Sequence, residues 1–423
     1  MSTHNSFDEQ FEFTGKVKTY SLAAIAVGVI TILAGFLTGA GERTFANLLL
    51  MGYYFACVCM AGVFFCALQY VAQAGWSASL IRVPQAFAKT LPFAATLLLV
   101  IILCGLYFTH KTTLEPGGEE VVAPYLYKLW ALAGVTTPGN PHFDPIITGK
   151  SVFLNRPFFI TRLIVFMGSY AIFGWLLVKY SEGEDELGGM FYYRKSFTIS
   201  CLFLVIFGFT TPIFAFDAIM SLEAHWFSTM FGWYNFAAMW VSCLAIITLT
   251  IIWLRTQGYM QWISQDHLHN LGQLMFGFSI FWTYVWFAQF LLIYYANIPE
   301  ETVYFVRRWE PEFKPWFWLN IVINFLAPLL VIMSRDSKRK TNILAITCGI
   351  LIVGHWLDYF MMIMPGTVRA TSHWYTEISV LEIGIFVGFV GLFIFTTLNA
   401  LSKFKSIIPK KHPFLQESLH HHI

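Results

Sequence analysis

Charge is what this chain of 423 residues has least of. Asp, Glu, Lys and Arg make up only 12% of it, about half the ~25% usual in soluble domains. With 57% hydrophobic residues and a mean hydropathy of +0.62, this excludes an ordinary soluble globular protein and indicates a polytopic membrane protein. The net charge of +2 gives no electrostatic footprint for a nucleic-acid partner, and none is expected. Cofactor motifs are missing too. The seven cysteines form no C-x-x-C and no C-x-x-C-H, so no iron–sulfur ligand set or covalent haem attachment is encoded, and they read as small core residues. The N-terminal MSTHNSFDEQFEF lacks a basic segment followed by a cleavage site, so residues 1–18 are expected to be a soluble tail rather than a secretory signal. Residues 402–423 form a second tail, whose His420–His422 run is too short to argue as a metal site.

What is present is a series of apolar windows about 20 residues long, each enough to cross a bilayer as a helix. They predict an all-α membrane protein with ten helices, near 19–38, 46–73, 88–110, 157–180, 195–221, 228–254, 270–296, 315–333, 341–364 and 376–401. The first and last carry Gly35-x-x-x-Gly39 and Gly384-x-x-x-Gly388, a spacing that lets helices approach closely. Lys and Arg are denser on the side that holds both tails, which places both termini in the cytoplasm by the positive-inside rule. The long segment 111–156, with EPGGEE, TTPGNP and YLYKLW, then faces outward as a docking surface for an extrinsic partner. The run EGEDE at 182–186 reads as a solvated cytoplasmic loop.

Two halves of the sequence match. Arg156-Pro157-Phe158-Phe159 opens helix four and Lys314-Pro315-Trp316-Phe317 opens helix eight, each with Pro where a helix begins. Helix five carries Asp217-x-x-Met220 and then His225-Trp226-Phe227. Helix nine carries Asp358-x-x-Met361 and then His373-Trp374-Tyr375. Duplication of this kind is common in membrane folds and predicts two parallel four-helix bundles, about 88–254 and 270–401, with flanking helices.

The polar residues inside these windows are the chemical candidates. A carboxylate at the bilayer centre costs about 2.5–3.5 kcal/mol on insertion scales, so it persists only where it faces the bundle interior, finds a partner or titrates. The stretch 209–235, FTTPIFAFDAIMSLEAHWFSTMFGWYN, holds Asp217, Glu223 and His225. Pro212 kinks its helix, and Asp217, Met220 and Ser221 share a helical face. Asp217 is either a structural acid paired with an Arg or a helix end, or a group that handles protons. The other outer-half candidates for a proton path are Arg162, His355, Asp358, Glu377 and Glu382. On the inner side stand Asp266, His267 and His269, which read as a solvated helix start, a weak divalent-metal motif or a point of proton uptake. Lys89, Tyr284 and Gln289 would continue such a path. For a quinone head group, which needs an aromatic pocket with one His and one carboxylate, the candidates are His225, Asp217, His355 and Tyr294. Asn297 ends helix seven beside Tyr294.

The strings FDAIMSLEAHWFSTMFGWY, HNLGQLMFGFSIFWTYVWFAQFLLIYYANIPEE and GHWLDYFMMIMPG resemble the NrfD/PsrC-like quinol-interacting membrane subunits. They are most like the ActF-type subunits of bacterial alternative complex III, and the likeness runs from about residue 20 to 401. The resemblance implies two four-helix bundles with flanking helices, in the inner membrane of a bacterium. It also implies a quinol:cytochrome c oxidoreductase in which electrons leave quinol in a paralogous NrfD-like subunit. The partners would be that paralogue, an iron–sulfur protein, multihaem cytochromes and lipids, with the haems and clusters held by the partner subunits and menaquinone or another quinone as an optional ligand here. Asp217, His225, Asp266, His355 and Asp358 lie in or beside the family-like strings, and proton-path or quinone-site roles for them follow only by inference from the resemblance.

Three readings remain open at this level. One is a redox-complex subunit that moves protons through its polar residues. The second is a secondary transporter, which requires broken helices at matching positions in both halves, with Pro212 and Pro328 as a partial match. The third is a structural scaffold whose buried charges are all paired.

Overall fold

The computed structural model describes residues 9–113, 120–368 and 378–421. Ten helices in it are long and apolar enough to cross a membrane: Gly15–Leu37, Gly41–Val71, Arg82–Tyr107, Arg156–Leu187, Met190–Ala218, Met230–Thr256, Gln265–Ala296, Lys314–Val331, Thr341–Thr367 and Val380–Ser402, helices one to ten here. The protein is an all-α multi-pass membrane protein. With ten crossings, both described ends lie on one face, called the terminal face below; the opposite one is the loop face.

Local sequence sets the helix ends. Pro157 occupies the first turn of helix four, and the Asn155 side chain accepts from the Phe158 amide at 3.0 Å, which satisfies an otherwise orphan donor. Ser264 and His267 form a capping box at helix seven, and Ser379 and Glu382 form one at helix ten. Helix five stops at Ala218, three residues earlier than the 221 its apolar run suggests. A single 3₁₀ turn, Met220–Glu223, follows, and the Ser221 hydroxyl donates to the Asp217 carbonyl at 2.5 Å. Asp217 and Ser221 therefore meet through a helix end and not along a continuing helical face.

Helices two, three, four and five pack as one closed ring, and helices six, seven, eight and nine as another. Helices one and ten pair with each other outside these rings, against helices two and three. The two four-helix bundles are thus offset by one helix from the division expected at 88–254 and 270–401. Packing explains the offset. Helix two lies between the rings, with 89% of its apolar window buried, while helix ten is held by helix one. A Cβ on Gly388 would stand 2.5 Å from the Gly28 Cα, so the two backbones touch, as small-residue interfaces in membranes allow. Gly384 is pressed in the same way against Thr31, and Gly35 against Thr44. Gly39 instead takes φ +80° in open space, where it ends the helix turn.

On the loop face, the segment after helix three folds into an antiparallel pair, β1 Thr109–Thr113 and β2 Glu120–Pro124, with Thr109 opposite Pro124. Glu42, at the start of helix two, accepts from His110 at 3.2 Å and pairs with Lys128. A short helix, Pro299–Arg308, also lies on this face.

On the terminal face, residues 403–421 fold back over the ends of the helices. The Ile407 amide donates to the Glu9 carbonyl at 2.9 Å, Lys405 pairs with Glu186 at 2.8 Å, and the Ser418 and Ser79 hydroxyls meet at 2.8 Å. The EGEDE run is not a solvated loop. It is the last turn of helix four, with Glu182 on Lys89 at 2.7 Å, Asp185 on Arg82, and Glu184 buried.

Candidate functional site

The polar centre of the second bundle is Asp358, fully buried on helix nine. Its carboxylate accepts from three neutral donors on three other helices. They are the Tyr234 hydroxyl from helix six, the Trp282 indole N–H at 2.8 Å from helix seven, and the Asn320 amide at 2.8 Å from helix eight. No Lys or Arg among the described residues pairs with it. One turn away, the His355 Nδ1 stands 3.6 Å from the Asp358 carboxylate. Both His355 ring nitrogens are buried and without hydrogen-bond partners, and the ring lies edge-on to Trp282 with centroids 5.8 Å apart.

Helix eight departs from regular α-helix beside this site. It contains a π-helical turn, Val322–Leu326, of the kind often found at functional sites. Within it the Asn324 amide donates to the Asn320 side-chain oxygen at 2.6 Å and to the Gly354 carbonyl at 2.9 Å. Asn324 therefore orients Asn320 toward Asp358. The packing is close: a Cβ on Gly354 would fall 2.4 Å from the Asn324 side-chain oxygen.

The first bundle carries the counterpart with a different chemistry. Arg162 is the seventh residue of helix four, as Asn320 is of helix eight. It clamps Asp217 with two bonds of 2.8 Å, donates to the Phe153 carbonyl at 3.0 Å, and lies over the Phe153 and Phe158 rings. A bidentate guanidinium gives its carboxylate two charge-assisted bonds and fixes its orientation. Of the two readings open for Asp217, its geometry is that of the Arg-paired structural acid.

From Asp358 a line of polar groups leads to the loop face. Tyr234 and Tyr304 both lie within electrostatic reach of Asp358, and Arg308 of both. Arg308 is buried. It donates to Glu223 at 2.8 Å and to the carbonyls of Tyr304, Met361 and Met362. Burial alone would lower its pKa, but the Glu223 carboxylate raises it further above the ordinary arginine range. Arg307 closes the line, 3.2 Å from Glu223 and 20% exposed. Toward the terminal face the buried residues of helices seven and nine are mostly apolar, Leu351, Met275, Cys348, Leu271 and Leu344, with the hydroxyls of Ser279 and Thr347 among them.

The remaining candidates are dispersed. His225 is exposed on the loop face and pairs with Asp144 at 2.5 Å. Burial pushes the Asp144 carboxyl up, but the His225 hydrogen bond and the amides of Ile147 and Ile146 bring it below the usual carboxylate range. Glu382 is tied to Arg43, Asn47 and Ser379 at 2.6–2.8 Å, a helix-start anchor far from Asp358 in this packing. Glu377 and the His373–Tyr375 string lie outside the described residues. Tyr294 is 65% exposed, and Asn297 caps helix seven with φ 50°.

On the terminal face, Asp266 pairs with Arg339, and His267 is held by Ser264, Ser79 and Ser418. His269 is buried with its Nδ1 unpartnered. Among the described residues, no group of three His, Cys, Asp or Glu side chains is placed to hold a metal ion. Lys89 pairs with Glu182 in the first bundle, Tyr284 is exposed, and Gln289 meets Ser228 near the loop face. None of the three extends a path from Asp266.

The four quinone candidates do not share a pocket. A cavity of about 430 Å³ between helices one, two, six, nine and ten is apolar, lined by Met51, Phe55, Trp253, Ile352 and Phe393 among others. A second, of about 350 Å³, lies at the loop face against Lys150, Phe153, Ser221, Trp226 and Phe227. Neither includes His225, Asp217, His355 or Tyr294 in its wall.

Sequence reasoning missed Tyr234, Trp282 and Asn320 as partners of Asp358, and Arg308 as the partner of Glu223. Only Asn320 left a trace, six residues past the Lys-Pro that matches the Arg-Pro before Arg162. In comparisons with known proteins, no family model matches the chain and no curated protein matches it.

Proposed function

We propose that this chain is a membrane subunit of a quinol:cytochrome c oxidoreductase of the alternative complex III type, in which Asp358 and His355 exchange protons between the bundle interior and the loop face. The observation that carries the reading is the Asp358 site: a fully buried carboxylate on three neutral donors, beside an imidazole with both nitrogens free, where the matching position of the other bundle has an arginine. Buried groups without a fixed counter-ion are the ones that take up and release protons. The three stretches that resemble NrfD/PsrC-like subunits each send a residue to this one site: Tyr234, Trp282, and His355 with Asp358. That convergence supports the redox assignment. The chain would sit in a bacterial inner membrane with both tails cytoplasmic. Its loop face would meet the iron–sulfur protein and multihaem cytochromes, and the paralogous NrfD-like subunit would lie beside it.

The transporter reading fits less well. Pro212 lies in helix five and Pro328 in helix eight, which are not counterparts, and helix four runs unbroken opposite the π turn of helix eight. Nor are all buried charges paired, as a scaffold requires, since among the described residues Asp358 has no Lys or Arg partner.

The test is to purify the chain in mild detergent, identify what accompanies it, and reconstitute it with Asp358→Asn. Co-purifying multihaem cytochromes, with electron transfer kept and proton movement per electron reduced, support the reading. A chain that comes alone, or an unchanged proton-to-electron ratio, overturns it.

A further inference from the structure

Glu184, in the last turn of helix four, is the least satisfied acid in the described residues. It is 1% exposed, and neither carboxyl oxygen has a hydrogen-bond partner. The Tyr70 hydroxyl of helix two lies within interaction range of Glu184 and is also unpartnered. The nearby cation bonds elsewhere: Arg82 of helix three gives its two terminal nitrogens to Asp185, to Gln85 at 2.7 Å and to Ser181 at 3.4 Å, and its Nε is buried without a partner. The Gln69 side-chain oxygen and the Gln85 side-chain nitrogen are buried without partners too. Beside them is a void of about 10 Å³, lined by Gln69, Tyr70, Ser77, Tyr193 and His412, roughly the space one water needs. This is a built polar pocket in which donors and acceptors both stand unpartnered.

The C-terminal segment closes it. His412 packs on Tyr70 and on Tyr193 of helix five, with ring centroids 6.0 Å and 5.6 Å apart, and Phe414 packs on Tyr193 at 5.4 Å. The charged and titratable groups within reach of Glu184 are Arg82, Asp185, Tyr70 and Tyr193, and His412 packs on the two tyrosine rings. An ionised carboxylate buried without a hydrogen-bond partner is costly, and a carboxyl that carries a proton avoids that cost. The protonated form can donate its O–H and still accept from the Tyr70 hydroxyl.

We propose that Glu184 and Tyr70 form a proton-binding site at the terminal face of the first bundle, and that residues 403–421 control its exchange with solvent. The site stands apart from Asp358, in the other bundle, and does not depend on the function proposed above. Infrared spectroscopy of the resting, purified full chain tests it without any turnover. A protonated-carboxyl C=O band should be present at neutral pH, vanish in Glu184→Gln, and shift in Tyr70→Phe. His412→Ala should speed its deuterium exchange by roughly tenfold or more, because local opening becomes easier. Carboxylic-acid bands that are the same in all these variants overturn the site, and an exchange rate unmoved by His412→Ala overturns the control by the tail. Should Glu184→Gln fail to fold, the Tyr70→Phe shift decides alone.

Discussion

Asn320 donates to Asp358 across 2.8 Å from the seventh residue of helix eight. The equivalent donor in helix four is Arg162, on Asp217. One architectural position thus carries a neutral amide in one bundle and a guanidinium in the other. The pair with the cation is a fixed charge pair. The pair without it keeps an acid whose charge is balanced only by hydrogen bonds and by what His355 can supply.

Exchanging the two chemistries should silence the second bundle. In Asn320→Arg, a guanidinium beside Asp358 would hold the carboxylate ionised, and proton movement per electron should fall as it does in Asp358→Asn. Asp358→Asn keeps one acceptor oxygen, for Tyr234 and Asn320, but turns an NH2 toward the Trp282 N–H, so one buried donor is stranded and the cost in stability should be about 1–3 kcal/mol. Proton uptake by reconstituted vesicles, with thermal unfolding as the control for folding, checks both. Asn320→Arg with undiminished proton movement would rule out Asp358 as the exchanging group.

Arg162 and Asp217 should behave in the opposite way. Removing one partner strands a buried charge, at a cost of about 3–5 kcal/mol, whereas replacing both with apolar residues is often close to neutral. Arg162→Leu should therefore lower the unfolding midpoint sharply, and Arg162→Leu with Asp217→Leu should recover most of it. A double variant as unstable as the single one would mean that the guanidinium acts mainly through Phe153 and its carbonyl.

Much of this was legible in the sequence. A hydrocarbon span imposes about twenty apolar residues whatever the fold, so all ten helices could be read directly. Asp217 and Asp358 stood out because ionisable groups inside such spans are rare. Their partners did not. Tyr234 and Trp282 are two aromatics among 43 Phe, 19 Tyr and 15 Trp, and nothing in their spacing distinguishes a donor to a carboxylate from a packing residue. Glu184 was hidden by its acidic neighbours. Its spacing of seven residues from Leu177 and three from Ser181, along the buried side of helix four, was the available signal. Bundle membership was legible only in part: helices three to five and seven to nine fall where the duplication puts them, but apolar windows do not say that helix two closes one ring and helix six the other.

The pairing of helices one and ten gives a packing prediction. Gly388→Val puts a branched side chain where a Cβ alone would already lie 2.5 Å from the Gly28 Cα. Overpacking of this kind costs about 1–3 kcal/mol. Hydrogen exchange of helix one should rise while helix two, buried between the bundles, stays protected. Equal loosening of both would mean that helix one is part of the core and not a flanking element.

The last prediction concerns pH and the C-terminal segment. Burial, with help from the Arg82 charge, pushes the His412 imidazole down to about 4. Its Nδ1 accepts from the Phe414 amide at 3.2 Å, a bond that only the ring with an unprotonated Nδ1 can make. The folded state therefore prefers the neutral ring, while the unfolded segment titrates near 6.5. The stabilisation is complete above that value, falls as the pH drops from about 6.5 toward 4, and is gone below. For a partly exposed ring this amounts to roughly 2–3 kcal/mol. Hydrogen exchange over residues 404–421 should accelerate through this range in the native chain and stay flat in His412→Phe, which keeps the ring packing on Tyr70 and Tyr193 without the titration. Acceleration of equal size in both would place the acid sensitivity in the ion pairs of Lys405 with Glu186 and of Arg82 with Asp185.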